Sequence, residues 1–186
     1  LIEAYLAKGE QPLCDGIALE GMRLVSTHLP KCVAFAKKGN KKTKEHYNSR
    51  LQMLNAAMMG AAAFQKGLGV THSCAHALST VVDMHHGLAN GILLPYTMKY
   101  NQKGMANRFK NMAQAVGLKK TGPADFIKWI EALNKKIGIP KKLKDVGVTK
   151  NHIAELVEIA VHDVCHPSNP RPVSKKDFET IFKQAI

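Results

Sequence analysis

The sequence lacks long apolar runs, and its cysteines lack the close pairs typical of metal or redox sites. No stretch approaches the roughly 18 uninterrupted apolar residues that indicate a membrane-spanning helix, and no basic segment followed by an apolar one opens the chain. We therefore expect a protein that neither spans a membrane nor shows a secretion signal. Without a C-x-x-C pair, the four cysteines are expected to be free thiols in a reducing cytoplasm: Cys14, Cys32, Cys74 and Cys165.

Strand patterns are missing as well. No segment alternates apolar and polar residues for long enough to predict a β-strand. Apolar residues recur at helical spacing along most of the chain instead. With 186 residues and 45% apolar content, the chain can fill the core of one ordinary domain. The sequence therefore predicts a single all-helical domain over residues 1–186.

Acidic residues are scarce. There are 27 Lys and Arg against 14 Asp and Glu, which gives a formal net charge of +13. A basic helical module that binds nucleic acid is therefore one alternative function. However, the basic residues concentrate in residues 37–44 and 135–150, and aromatic side chains that could stack on bases are not interleaved with them. A solvated basic surface is the simpler interpretation.

Proline, glycine and capping residues predict where the helices begin and end. Pro12 fits the first turn of a helix, Pro30 should interrupt that helix, and Gly39 with Asn40 should end the next short helix. Further helices are predicted near residues 88–99, 106–116 and 124–136, with C-caps at Gly117 and Gly138, N-caps at Thr149 and Ser174, and a capping box from Ser174 to Asp177.

A helix of some 20 residues is predicted to start at Thr43. Its apolar side chains recur every three or four positions, which is typical of one continuous stripe facing a core. We therefore expect these residues to be buried: Tyr47, Leu51, Leu54, Met58 and Ala61.

Histidines cluster in residues 67–100, where four of the nine fall within 15 positions. His72 and His76 are four residues apart, so both should project from one face of a helix. His86 lies 14 residues after His72, which on one straight helix would be about 21 Å of rise. The two can share an ion only if the chain reverses between them, and Asp83 and Gly87 mark where it should, with a second helix starting at residue 88. Taken singly, each could equally be a surface or core histidine.

The same segment resembles the signature of the iron-containing alcohol dehydrogenase family. Spacing and identity agree over more than 30 residues: Gly67-Leu68-Gly69, His72-x-x-Ala75-His76, His86-Gly87-x-x-Asn90, Leu94-Pro95 and Tyr100-Asn101. One departure is Met84-His85-His86-Gly87, where the family usually has proline before the ligand histidine; His86 directly precedes the glycine and is the better match. The resemblance extends over the whole chain.

This resemblance implies an all-helical bundle, similar to the α domain of dehydroquinate synthase, that carries much of a metal site. The α/β domain that binds NAD or NADP through a glycine-rich loop is not expected in this chain. In that family one aspartate and three histidines hold Fe²⁺, and Zn²⁺ accepts the same donors. Residues 1–5 resemble the family segment that comes directly after the first two of those ligands, so both should lie outside the chain. This fragment should therefore be inactive by itself and need its N-terminal domain, and a homodimer is compatible with the family.

By resemblance, His72 and His86 are the remaining metal ligands. His76 matches a histidine that lies near the metal and relays the proton of a small-molecule alcohol or aldehyde substrate. Phe64 and Cys165 are assigned to the substrate pocket, with ordinary core packing as the competing interpretation for both.

A third interpretation comes from His162-Asp163, a dipeptide found in the all-helical HD-type metal phosphohydrolases. Such a site also needs an upstream histidine and a downstream aspartate. Only Asp177 lies downstream, where it should belong to a helix cap.

Overall fold

Helices make up the fold in the computed structural model, which describes residues 1–39 and 43–186. No strand occurs in these described residues, so the predicted all-helical bundle is confirmed. Four short 3₁₀ turns, Phe64–Lys66, Leu143–Val146, Lys150–His152 and His166–Ser168, join the longer elements. The α-helices are α1 (Ile2–Leu6), α2 (Pro12–Lys37), α3 (Lys44–Ala63), α4 (Val70–Val82), α5 (His86–Asn101), α6 (Ala106–Ala115), α7 (Pro123–Ile137), α8 (Ile153–His162) and α9 (Lys175–Ala185).

Two clusters of buried side chains form the core. One joins α4, α5, α8 and α9 around residues such as Leu78, Leu93 and Phe178. The other joins α1, α2, α6 and α7 around residues such as Phe109 and Phe126. Helix α5 contributes to both clusters, through Leu93 to the first and Met98 to the second, so it lies between the two halves of the bundle. None of the helices described is long and apolar enough to cross a membrane.

The predicted helix start at Thr43 and the predicted caps of α7 and α9 agree with the structure. Thr43 accepts a hydrogen bond from the amide of His46 (3.1 Å) at the start of α3. Ser174 and Asp177 form the capping box of α9, and Gly138 adopts the left-handed conformation that ends α7. Helix α2 begins at Pro12, whose missing amide hydrogen costs nothing in the first turn.

The prediction that Pro30 interrupts a helix is wrong. Helix α2 continues through Pro30 to Lys37. The proline removes only one amide donor, and the packing of α2 along α3 stabilises the helix around Pro30. For example, the ring of Phe35 stacks on His46 at 4.9 Å. Asn40, predicted to help end a helix here, lies outside the described residues.

The predicted buried stripe on α3 is also wrong. Its bulky members are exposed, from 54% for Leu51 to 69% for Leu54, and Ala61 is exposed as well. The opposite face packs on α2 through the small residues Ser49, Ala56 and Ala63. Because α3 has apolar residues on both faces, its periodicity could not show which face enters the core.

Candidate functional site

Helix α4 presents two of the histidines, and side chains from distant segments satisfy the amides at its N-terminus. Gly69 occupies the N-cap position and has no side chain to serve as a cap. The amides of Thr71 and His72 donate to the Glu3 carboxylate (2.7 and 3.1 Å), and the amide before them donates to Asn169 Oδ1 (3.2 Å). A β-carbon at position 69 would lie 2.8 Å from Glu3 Oε1, so glycine is required there for the carboxylate to reach the helix.

The predicted reversal between the histidines lies at residues 83–85. Helix α4 ends at Val82, and Asp83 is the one non-glycine residue with positive φ in the described part of the chain (φ 49°). Helix α5 begins at His86, two residues earlier than predicted, because the left-handed Asp83 completes the turn before Gly87. The ring centroids of His72 and His86 are 5.5 Å apart, which confirms their predicted approach.

His76 completes a cluster of three imidazoles. Its ring centroid lies 6.1 Å from that of His72 and 5.3 Å from that of His86. His85, the alternative to His86 by sequence, is exposed as His86 is, but within the described residues no ring contact joins His85 to the cluster. The structure thus brings together all three histidines selected from the sequence.

Glu3 determines the state of the His72 ring. The carboxylate lies 2.6 Å from His72 Nδ1 and is almost fully buried. Burial alone would raise the pKa of Glu3, but the hydrogen bonds and charge from His72, with the bonds from Thr71, outweigh it and lower the pKa below its usual value. An ionised carboxylate only accepts, so Nδ1 of His72 carries a proton. In the neutral ring, Nε2 then holds the free lone pair.

His86 is held in its neutral form by its surroundings. Partial burial, together with the neighbouring imidazoles of His72, His76 and His85, lowers the pKa of His86. The side-chain amide of Asn90 donates to His86 Nε2 at 3.0 Å, so this nitrogen carries a lone pair, which Asn90 must release before the ring can bind a metal ion. Neutral imidazole with an available lone pair is the form that binds metal ions.

His76 is supported by a second carboxylate. Its Nδ1 lies 2.7 Å from Asp163 Oδ2, while Asp163 Oδ1 accepts from Ser73 Oγ (2.7 Å) and from the amide of Cys165 (2.8 Å). Burial would raise the pKa of Asp163, but these hydrogen bonds outweigh it and lower the pKa. His76 therefore donates through Nδ1 to an ionised acceptor, as His72 does to Glu3.

The donor atoms of His76, Asp163 and Cys165 lie within 4.8 Å of one another, which could also suit a metal ion. However, the imidazole and the carboxylate are already hydrogen bonded to each other. Burial, followed by the charge of Asp163, raises the pKa of Cys165 to about 12, so its sulfur is a thiol at physiological pH. We interpret this group as the support of His76, because a thiol is a poor metal ligand and the other two donors are engaged.

A cavity of about 490 Å³ opens beside the histidines. His72 and His86 line one wall, and the remaining lining is largely apolar, with Leu94, Trp129 and Ile130 among its residues. Apolar walls with a few polar groups at one side are typical of sites for small organic ligands.

Comparison with known proteins identifies the fold and its family. The model of the "Fe-containing alcohol dehydrogenase family, C-terminal" matches residues 1–186. The chain belongs to this family.

Named relatives agree with that result. The chain is 33% identical to the NAD-dependent methanol dehydrogenase of Bacillus methanolicus and 32% identical to the 1,3-propanediol dehydrogenase of Klebsiella pneumoniae, in each case covering 100% of this chain and 48% of the relative. A crystal structure of 1,3-propanediol oxidoreductase superimposes with a TM-score of 0.91 at 32% identity, over 100% of this chain and 48% of that one. The chain thus spans about half the length of the curated relatives it matches.

The two residues predicted in the substrate pocket lie apart from this cavity. Phe64 is exposed where α3 ends, and Cys165 is buried behind His76 beside Asp163; neither belongs to the cavity lining. Their assignment to a substrate pocket stays a prediction.

The sequence predicts no site role for Glu3, and the one site it suggests for Asp163 is of the HD type. Both residues had a detectable signal. Glu3 is an acid within the otherwise apolar stretch of residues 1–7, and a buried acid requires partners. The geometry gives no support to the phosphohydrolase, because His162 turns its Nδ1 to the carbonyl of Glu158 (2.8 Å) and Asp177 caps α9.

Proposed function

We propose that this chain is the metal- and substrate-binding C-terminal half of an NAD(P)-dependent alcohol dehydrogenase that interconverts an alcohol with an aldehyde or ketone. The observation that supports this most directly is the convergence of three histidines, His72, His76 and His86, the first and last of which line an apolar cavity, in a member of an Fe-containing family. The relatives named for methanol and 1,3-propanediol favour a small alcohol as substrate.

The nucleotide-binding half lies outside this chain in our proposal. The chain matches about half of each relative, and a structure of sulfoacetaldehyde reductase from Bifidobacterium kashiwanohense, 27% identical with a TM-score of 0.83, is a complex with NAD⁺; the match covers 99% of this chain and 46% of that one. An α/β domain would supply the NAD or NADP site. A homodimer is compatible with this arrangement.

His72 and His86 fit the requirements of Fe²⁺ or Zn²⁺ ligands. The Glu3 contact leaves Nε2 of His72 with the free lone pair, the surroundings of His86 lower its pKa, and imidazole nitrogen suits either ion. Two histidines do not complete a metal site, so the other ligands must come from outside residues 1–186. When bound, the ion would act as a Lewis acid and lower the pKa of the substrate hydroxyl.

The protein side chains would handle the substrate and its proton. Apolar walls such as Leu94 and Trp129 would hold the carbon skeleton and exclude water. His76 would take the hydroxyl proton on Nε2, because its Nδ1 already donates to Asp163. The ionised Asp163 would stabilise the resulting imidazolium until the proton passes to water.

Three single substitutions in the full-length protein test the ligand assignment. We expect His72→Ala and His86→Ala to lose both bound metal and alcohol oxidation, since each removes a ligand. His85→Ala is the matched control, because it removes the neighbouring histidine on the same turn. Metal content per subunit and NAD(P)-dependent oxidation of methanol and 1,3-propanediol would be measured together. Loss of metal in His85→Ala but not in His86→Ala would refute the assignment.

The 186-residue chain alone should bind Fe²⁺ or Zn²⁺ weakly and oxidise no alcohol. Two ligands compete poorly with water and buffer, and the nicotinamide site is incomplete. Calorimetric titration with Zn²⁺ and an NAD(P)H absorbance assay would check this. Measurable NAD(P)-dependent oxidation by this chain, free of any longer form, would contradict it.

A further inference from the structure

Asp163 holds two parts of the chain behind His76. It lies directly after α8, and its two carboxylate oxygens have different partners. Oδ2 faces His76 Nδ1 at 2.7 Å, whereas Oδ1 accepts from Ser73 Oγ at 2.7 Å and from the amide of Cys165 at 2.8 Å. These lengths are typical of charge-assisted hydrogen bonds.

The two donors on Oδ1 fix the orientation of the carboxyl group. The amide of Cys165 always donates, and the Ser73 hydroxyl donates to the carboxylate in this arrangement. The two oxygens of an ionised aspartate are equivalent acceptors, so rotating the carboxyl group by 180° changes no hydrogen bond. In an asparagine the same rotation exchanges an acceptor oxygen with a donor NH₂. An amide NH₂ placed at Oδ1 would face the Cys165 amide, which can only donate, and an unpaired buried donor costs about 1–3 kcal/mol. An asparagine at position 163 must consequently aim its NH₂ at His76.

We infer that Asp163 is a positioning residue for His76, which it holds as the Nδ1–H tautomer so that Nε2 is the nitrogen able to accept a proton. The inference rests on the proposed role of His76 in moving the substrate proton. Asp163 itself does not touch the substrate. It determines which ring nitrogen carries the lone pair, and it balances the charge of the imidazolium after proton transfer.

Asp163→Asn should reverse this tautomer. The asparagine NH₂ donates towards His76, so Nδ1 must become the acceptor and the ring proton must move to Nε2. The ring then presents a donor where the substrate proton needs an acceptor. A wrong histidine tautomer of this kind reduces turnover by about 10⁴-fold in other enzymes, and a positioned base is generally worth about 10²–10⁴-fold.

The tautomer can be read directly from nitrogen chemical shifts. Long-range ¹⁵N–¹H correlation spectra of the ¹⁵N-labelled 186-residue chain would be recorded at a pH where the imidazoles are neutral. We expect His76 to be Nδ1–H in the wild type and Nε2–H in D163N. Ser73→Ala serves as the matched control, because it removes another partner of Asp163 but leaves the carboxylate, and His76 should stay Nδ1–H.

A neutral histidine exposed to water is itself mainly Nε2–H, so a reversed tautomer counts as evidence for positioning only in a D163N protein that circular dichroism shows to be folded. The wild-type spectrum is a test by itself, because finding His76 mainly as Nε2–H there would overturn the inference. An unchanged Nδ1–H tautomer in folded D163N would overturn it as well. Should D163N fail to fold, Asp163→Ala replaces it, with a mixture of both tautomers as the expected result and an unchanged Nδ1–H ring as the refuting one.

Activity of the full-length protein is a separate measurement. D163N should keep its metal content but lose turnover by about 10²–10⁴-fold, as His76→Ala should. Glu155→Gln, which changes an exposed acid on α8, should leave both values near those of the wild type. If the tautomer reverses in D163N while turnover stays near wild type, the positioning role of Asp163 stands and the proposed role of His76 in proton transfer is wrong.

Discussion

Glu3 should be among the most sensitive positions for stability outside the apolar core. Glu3→Ala removes the acceptor of three donors: the amides of Thr71 and His72 and the ring Nδ1 of His72. Thr71 is buried, so its amide cannot easily find water instead. Each stranded buried donor costs about 1–3 kcal/mol, and losing a helix cap costs about 0.5–2 kcal/mol. Removing a buried charge offsets part of this, and we expect a net loss of about 2–4 kcal/mol.

Urea unfolding of the chain, followed by circular dichroism, would measure this loss. Glu10→Ala is the control, because it makes the same change at an exposed acid and should stay within about 0.5 kcal/mol. Glu3→Gln should fall between the two, since its amide oxygen can serve both donors of His72 but its NH₂ then faces the amide of Thr71. If Glu3→Ala costs no more than Glu10→Ala, Glu3 does not cap α4 and the three hydrogen bonds contribute nothing to stability.

Three further outcomes are expected. Leu78→Ala should cost about 2–5 kcal/mol in urea unfolding because Leu78 is fully buried, whereas Leu54→Ala should stay within about 0.5 kcal/mol; equal losses would show that the α3 stripe is covered after all. Asp177→Asn should cost about 1 kcal/mol at neutral pH through the weakened cap of α9. Burial would raise the pKa of Asp177, but its hydrogen bonds outweigh burial and lower it. The stability that Asp177 contributes is therefore present above the unfolded pKa of about 3.9 and is lost as pH falls through the folded pKa. A difference in unfolding free energy between variant and wild type that persists at strongly acidic pH would contradict this. His76→Ala in the full-length protein should keep its metal, and metal analysis showing it as empty as His86→Ala would make His76 a ligand.

Local signals predicted much of the fold. The helix start at Thr43, the cap at Ser174 and the turn near Asp83 depend on residues within a few positions of one another. Short-range hydrogen bonds of this kind require no knowledge of the rest of the chain. The histidine cluster was predictable for the same reason, because a helix, a tight reversal and a second helix bring His72 and His86 together without any distant segment.

Contacts between distant segments were not predictable in this way. Glu3 reaches α4 across 69 residues to bond His72, and Asp163 reaches it across 87 residues to bond His76. The buried face of helix α3 also depends on a neighbouring helix and was not predictable from its own sequence. Its apolar side chains predicted a buried stripe, but the choice between its two apolar faces is made by the small residues that let α2 approach.

The two carboxylates also explain how adjacent histidines on one helix can have different roles. His72 and His76 share a helix face and both donate through Nδ1, so neither sequence spacing nor tautomer separates them. The two histidines and the carboxylates that bind them differ in solvent exposure. The Glu3 side chain is only 4% exposed and holds the helix end that carries His72, which favours a fixed ligand. The His76 side chain is 40% exposed, against 26% for His72, so His76 is the ring with the readier path for a proton to reach water. A rigid ligand and a solvent-connected proton acceptor can therefore lie one helical turn apart.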